Sequence, residues 1–354
     1  MEQQNLHKIK ALYREYGTPV SVIIAGIIVA NAIFATQTER TAQLAINNPS
    51  AETANRSALE EAVLPAEGVK LPVVWGDLGA QLVEAGAIDP VAFKKVYQVR
   101  GPSTGESADF VARPAATTRL QVLPQPVAGD QFPADYEKLL SGRSNGVLTI
   151  TEDNAGYLLN LFWALGLANK NPILDSGEMT NPAYGGAGNF ASTGGWTVAQ
   201  GDAMKHYSKH ALIVLSPEQQ KLVDRVSQNI YRPCCGNSTR FPDCNHGMAM
   251  LGLLELMASQ GVGEEDMYKT ALAVNSYWFP GTYLTMAEYM HNKGIDWKDV
   301  SPKEMLGADY SSASGYARIM SLVSKPSDKG SGGCGVDTGE VAPATARRES
   351  GCGI

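Results

Sequence analysis

Three cysteines and a histidine fall within thirteen consecutive residues of this chain, in Tyr231-Arg-Pro-Cys234-Cys235-Gly-Asn-Ser-Thr-Arg-Phe-Pro-Asp-Cys244-Asn-His246-Gly-Met248-Ala-Met250. Thiolate and imidazole together suit zinc and softer ions such as copper(I), because both donors are polarisable and bind once deprotonated. Cys234, Cys235, Cys244 and His246 are therefore a candidate site for copper or zinc. Met250 follows His246 by four residues, so on a helix the two share a face. A thioether beside thiolates tilts the expectation toward copper. The spacing departs from the paired C-x2-C of zinc fingers, and adjacent cysteines are commoner in disulfide frameworks.

Two other chemistries use the same residues. A bridge from Cys244 to Cys234 or Cys235 would make a disulfide-stabilised scaffold with no catalytic role. A vicinal thiol of depressed pKa, open to solvent, would make a thiol-disulfide oxidoreductase. Counting bears on the choice. If Cys334 and Cys352, the other two cysteines, pair with each other, three remain and cannot pair off. A site of three thiolates and one imidazole uses them all. Whether the chain is an enzyme stays open, and no catalytic residue is assigned.

Weaker signals lie elsewhere. His206 and His210 are four apart and would share a helix face, but the glutamate of HExxH is missing. A hydrolase would need Cys235 or Ser192 beside a distant histidine, and no nucleophile-elbow signature accompanies either. The glycine-rich run from Gly185 to Trp196 reads as a turning loop.

Pro-Cys-Cys-Gly followed by Asp-Cys-x-His-Gly resembles bacterial exported proteins named for a Pro-Cys-Tyr-Cys-Gly-Cys (PCYCGC) motif, over Pro233 to about Leu253. The resemblance implies an exported cysteine/histidine cluster of metal-binding type and no substrate. Cys234 and Cys235 are adjacent where that motif alternates, and its third close cysteine is missing here. Otherwise the chain resembles uncharacterised bacterial membrane-anchored proteins.

The elements that must position the cluster belong to a mainly α chain. Tyr16 to Thr38 carries no charge, and its apolar centre is long enough for a helix to cross a bilayer. Lys8, Lys10 and Arg14 precede it, which predicts a cytoplasmic N-terminus (1–15), an anchor in the cell membrane (16–38) and an extracytoplasmic remainder. The lipid bilayer is thus the expected partner. Ala30-Asn31-Ala32 offers a competing peptidase site, in which case the segment is a cleaved signal. Residues 39–67 read as a flexible linker.

The expected globular domain is 68–325, with 68–100 as a possible small lobe and a Pro/Gly/Thr-rich connection from Gly101 to about Pro133. Ser216-Pro-Glu-Gln219 and Ser301-Pro-Lys-Glu304 are helix starts of the capping-box kind, and Asp89-Pro90 opens another helix. Tyr157–Ala168 and Met248–Ala258 are nearly all apolar and predict central, buried helices. Gly146–Ile150 is the expected strand. Residues 326–354, glycine-rich and bearing Cys334 and Cys352, read as a disordered tail able to pass an ion or a reducing equivalent to the cluster or to a metal- or thiol-exchange partner. A net charge of −7 and the lack of any basic run or phosphate loop exclude an electrostatic case for nucleic acid.

Overall fold

The computed structural model describes residues 49–97 and 132–323. The expected anchor, the 101–131 connection and the tail with Cys334 and Cys352 lie outside the described residues. Among the described residues the chain is mainly helical, and no helix is long and apolar enough to cross a membrane. Among the described residues, those from Leu59 onward form one compact unit.

Helix α1 (Pro49–Val63) leads into strand β1 (Val69–Gly76), then α2 (Leu78–Glu84) and α3 (Pro90–Tyr97). Past the undescribed stretch come α4 (Ala134–Ser141), β2 (Asn145–Ile150) and α5 (Ala155–Ala168). The helices of the second half are α6 (Pro217–Ser227), α7 (Asn245–Ser259), α8 (Glu264–Trp278), α9 (Pro280–Asn292) and α10 (Ala313–Val323), with shorter turns between them. Val63 and Leu64 are buried in the core, and Tyr277 Oη donates to Pro65 O at 2.8 Å. The folded unit therefore reaches further back than Gly68 into the expected linker. Alanine and glutamate, which made that stretch read as a spacer, are also strong helix formers.

β1 and β2 pair antiparallel, with Val69 opposite Ile150 and Val74 opposite Val147. Leu71, Val73 and Trp75 face the core while Lys70, Pro72 and Val74 face out. The register slips between Lys70 and Val74, where Pro72 cannot donate to a ladder.

The centre of the unit is the α5–α7 pair. All of α5 is buried, and so is α7 from Gly247 to Ala258. Both helices were legible as all-round apolar, and their contact explains why. A Cβ added to Gly166 would lie 2.1 Å from Met248 O, and one added to Gly252 would lie 2.4 Å from Phe162 O. The two backbones touch at glycines, so no larger residue fits either crossing point. This contact fixes α7 in depth, and with it Cys244, the residue that caps its N-terminus.

Three of the buried indoles are each tied to a carbonyl. Trp163 Nε1 donates to Ser192 O at 2.7 Å, Trp196 Nε1 to Ala87 O at 2.8 Å and Trp278 Nε1 to Ala155 O at 3.2 Å. Such bonds remove the penalty of burying an N–H.

Candidate metal centre

The loop from Ile230 to Cys244 joins α6 to α7. Ser216 caps α6 with both hydrogen bonds of the capping box, as the sequence predicts. Beyond it the chain doubles back: Thr239 N donates to Ile230 O at 2.8 Å, Arg240 N to Ser227 O at 3.1 Å, and Tyr231 pairs with Ser238. Neighbouring elements hold the loop from outside. Tyr231 N donates to Leu306 O at 2.8 Å, and Ala313 N, at the start of α10, to Cys235 O at 2.9 Å. From the glycine-rich run, Ser192 N donates to Asp243 O at 3.1 Å, so that turning loop packs beside the cluster.

Arg232 is the hub, with 1% of its surface exposed. Its Nε donates to Cys244 Sγ at 3.1 Å, Nη1 to Asn237 O at 3.0 Å, and Nη2 to Phe241 O at 3.0 Å and Asp243 Oδ1 at 2.6 Å. Gly247 makes room for it: a Cβ there would sit 2.4 Å from Nη2. Burial opposes the guanidinium charge, but Cys244, its two neighbouring thiols and Asp243 hold Arg232 protonated.

The ligand atoms of Cys234, Cys244 and His246 lie within 4.8 Å of one another, and so do those of Cys235, Asp243 and Cys244. The four-residue site expected from the sequence is thus two overlapping groups that share Cys244. Arg232 bears on them unequally. Its guanidinium bonds the shared Cys244 and also Asp243, so it engages two residues of the second group and one of the first. Either group could hold a metal ion, and the first, Cys234, Cys244 and His246, is the less engaged by the arginine. His246 Nδ1 is buried without a hydrogen-bond partner. Its ring is held by Phe279, at a centroid distance of 4.4 Å, and edge-on by Trp278 at 5.9 Å.

The three thiols are free, and the sulfurs of Cys234 and Cys244 are 3.5 Å apart. Hydrogen bonds from Cys234 and Cys235 pull the Cys244 thiol well below the usual thiol range, helped by Arg232 and His246 against the effect of burial. The same bonds act in reverse on the donors. Cys234 is raised by its hydrogen bonds with Cys235 and Cys244. For Cys235 the bond to Cys234 favours the thiolate, but Cys244 and burial outweigh it and push the thiol up to about 12. Cys244 is thus the thiol of the cluster shifted toward the thiolate, and it stands at the N-terminus of a fifteen-residue helix where the dipole also favours negative charge. Asp243 is raised by burial, partly offset by Arg232.

Met250 is 1% exposed and belongs to the hydrophobic core. His206 and His210 do not share a helix face. The chain leaves a single 3₁₀ turn at Lys205 and passes through Ser208 at a φ of 52°. Instead His206 Nδ1 lies 3.1 Å from His210 Nε2 while His206 Nε2 lies 3.1 Å from Gln200 O. Since a carbonyl only accepts, His206 carries its proton on Nε2 and accepts on Nδ1 from His210. That lone pair is used. Burial, then the neighbouring His206, lowers the His210 pKa. Ser192 Oγ is buried with no partner, and no histidine pairs with it.

Arg232 and Asp243 are the residues that sequence reading missed. Each stands within two positions of a cysteine, an arginine before Pro-Cys-Cys and an aspartate before Cys244, and opposite charges flanking thiols are a usable signal. No protein-family model, curated protein or solved structure matches the chain.

Proposed function

We propose that this chain binds a metal ion through Cys234, Cys244 and His246, with zinc(II) fitting better than copper(I), and that a helix at Tyr16–Thr38 anchors it with the domain outside the cytoplasm. The carrying observation is the convergence of two thiols with an imidazole, their ligand atoms all within 4.8 Å of one another. An ion about 2.3 Å from two sulfurs 3.5 Å apart subtends an angle of roughly 100°, close to a tetrahedral angle. Two-coordinate, linear copper(I) would need the sulfurs to part by about another ångström at the same bond length. Charge supports the same ion. Arg232 and Asp243 cancel, and two thiolates cancel a divalent cation, so the set is neutral. The methionine that favoured copper lies in the core instead.

Three protein ligands leave a fourth position for water or for a donor from another molecule, on the side of exposed Cys234. Such a site can exchange its ion, which favours metal handling over a purely structural role.

The test is metal analysis of the full chain purified without oxygen. Wild type is expected to carry one ion. Cys244→Ser and His246→Ala should each lower zinc affinity at least tenfold, while Cys235→Ser and Met250→Leu retain it. Wild-type protein that neither carries nor takes up zinc ends the proposal, and tighter copper(I) than zinc uptake with both sulfurs ligated overturns the choice of ion.

A further inference from the structure

We propose that Cys234 and Cys244 also form a thiol–disulfide exchange couple, in which Cys234 is the sulfur attacked from solvent and Cys244 the sulfur that leaves. This goes beyond metal binding, since the couple works on the metal-free protein. The two sulfurs are 3.5 Å apart and both are free. Closing them to a bond of about 2.05 Å needs a shift of roughly 1.5 Å. Gly236, with nothing near its Cβ position, follows the vicinal pair and lets that turn adjust.

The surroundings of the two sulfurs are unequal. Cys234 is exposed, whereas Cys244 is partly buried with Arg232 Nε 3.1 Å from its sulfur. Arg232 is in turn fixed by Asn237 O, Phe241 O and Asp243, so the cation cannot follow a departing ligand. Attack by an incoming thiolate on Cys234 Sγ breaks the Cys234–Cys244 bond, and the electron pair goes to Cys244 Sγ against the guanidinium. A mixed disulfide is left on Cys234. A second thiolate of the same substrate then attacks the substrate sulfur of that mixed disulfide, and Cys234 leaves and takes a proton from water. One substrate dithiol has become a disulfide, and the protein pair has gained two electrons. A low-molecular-weight disulfide of the glutathione class restores the pair by the reverse exchange. A fixed cation on the leaving sulfur stabilises the reduced form, so the couple is an oxidant of dithiols.

Cys235 is less suited to the role, since it is less exposed than Cys234 and its sulfur lies 3.9 Å from both Asn237 O and Asp243 Oδ1, while its backbone is bonded to Ala313 N and Arg232 O.

The experiment uses full-length chain carrying Cys334→Ser and Cys352→Ser, stripped of metal and equilibrated with mixtures of reduced and oxidised glutathione. Acid quenching, alkylation and peptide mass mapping should find a Cys234–Cys244 bridge with Cys235 still alkylated. Arg232→Met should shift the equilibrium at least tenfold toward the disulfide. Because Arg232 is buried and that variant can fail to fold, Cys244→Ser is the second arm: glutathione should accumulate on Cys234 as a stable mixed disulfide. No bridge, a bridge to Cys235, or glutathione caught on Cys235 overturns the proposal. Zinc uptake by the reduced protein is scored separately. A redox couple without zinc uptake defeats only the metal reading, and zinc uptake without the couple defeats only this one.

Discussion

Glu255 is the clearest place to test the folding physics of this protein. It is 0% exposed in the middle of α7. Its two oxygens accept from Asn169 Nδ2 at 2.8 Å and Asn171 Nδ2 at 2.6 Å. Neither amide is free to turn, because Asn169 Oδ1 accepts from Ile213 N and Asn171 Oδ1 from Ile173 N and Gln220 Nε2. Burial pushes the carboxyl from 4.5 up to about 8, against the pull of the two amides. A carboxyl raised in the folded state binds its proton more tightly there than in the unfolded chain. The stability it contributes is full below the unfolded value and is lost as pH rises through the folded one. A shift from 4.5 to about 8 corresponds to about 5 kcal/mol in all, of which about 3.5 kcal/mol falls between pH 5 and pH 8. Glu255→Gln removes the titration. Its fixed cost, one amide donor left facing another, is the same at every pH and cancels in the comparison. Urea unfolding of wild type and variant at pH 5, 6.5 and 8 should show their stability difference moving by about 3.5 kcal/mol in favour of the variant. Parallel pH profiles would mean that Glu255 stays ionised in the fold, and the reasoning from burial would be wrong.

Gly166→Ala and Gly252→Ala each drive a methyl into the backbone of the facing helix, and each should cost about 3 kcal/mol or more, read by denaturant midpoint. Gly247→Ala displaces Arg232 instead; it should cost about 1–3 kcal/mol and at least tenfold in zinc affinity, read by competition with a chelator. For topology, protease added to spheroplasts should digest the domain and carbonate should leave it with the membrane; full protection refutes the orientation, and release by carbonate favours cleavage.

What the sequence made legible follows the physics of each signal. All-round apolar runs have one reading in water, so α5 and α7 could be placed from composition. The Ser216 cap could be placed because its hydrogen bonds are local. β1 was hidden by Pro72, which breaks an otherwise clean alternation of Leu71, Val73 and Trp75 and demotes it as a strand. The division of the cysteines was hidden for a different reason. Spacing shows that four ligands can meet, but not that Arg232 will be buried among them, since its partners Asn237 O, Phe241 O and Asp243 come together only when the loop closes. His206 and His210 failed as a helical pair because Ser208 takes a left-handed backbone, which no periodicity reports.

The two activities proposed for the cluster follow from one electrostatic fact. A buried guanidinium needs anions close by, and Asp243 supplies one; Cys244 supplies the other because its sulfur is fixed against Nε by the same helix that packs at Gly166 and Gly252. A thiolate held in that way needs little reorganisation either to take a metal or to leave a disulfide. The choice between these rests on Cys234, whose sulfur completes the ligand set when reduced and closes onto Cys244 when oxidised. The ion and the disulfide are therefore mutually exclusive. Bound zinc should slow oxidation of the pair by glutathione disulfide in proportion to its occupancy. Oxidation at the same rate with and without saturating zinc would show that the two sulfurs are not shared, and the common origin argued from Arg232 would fail.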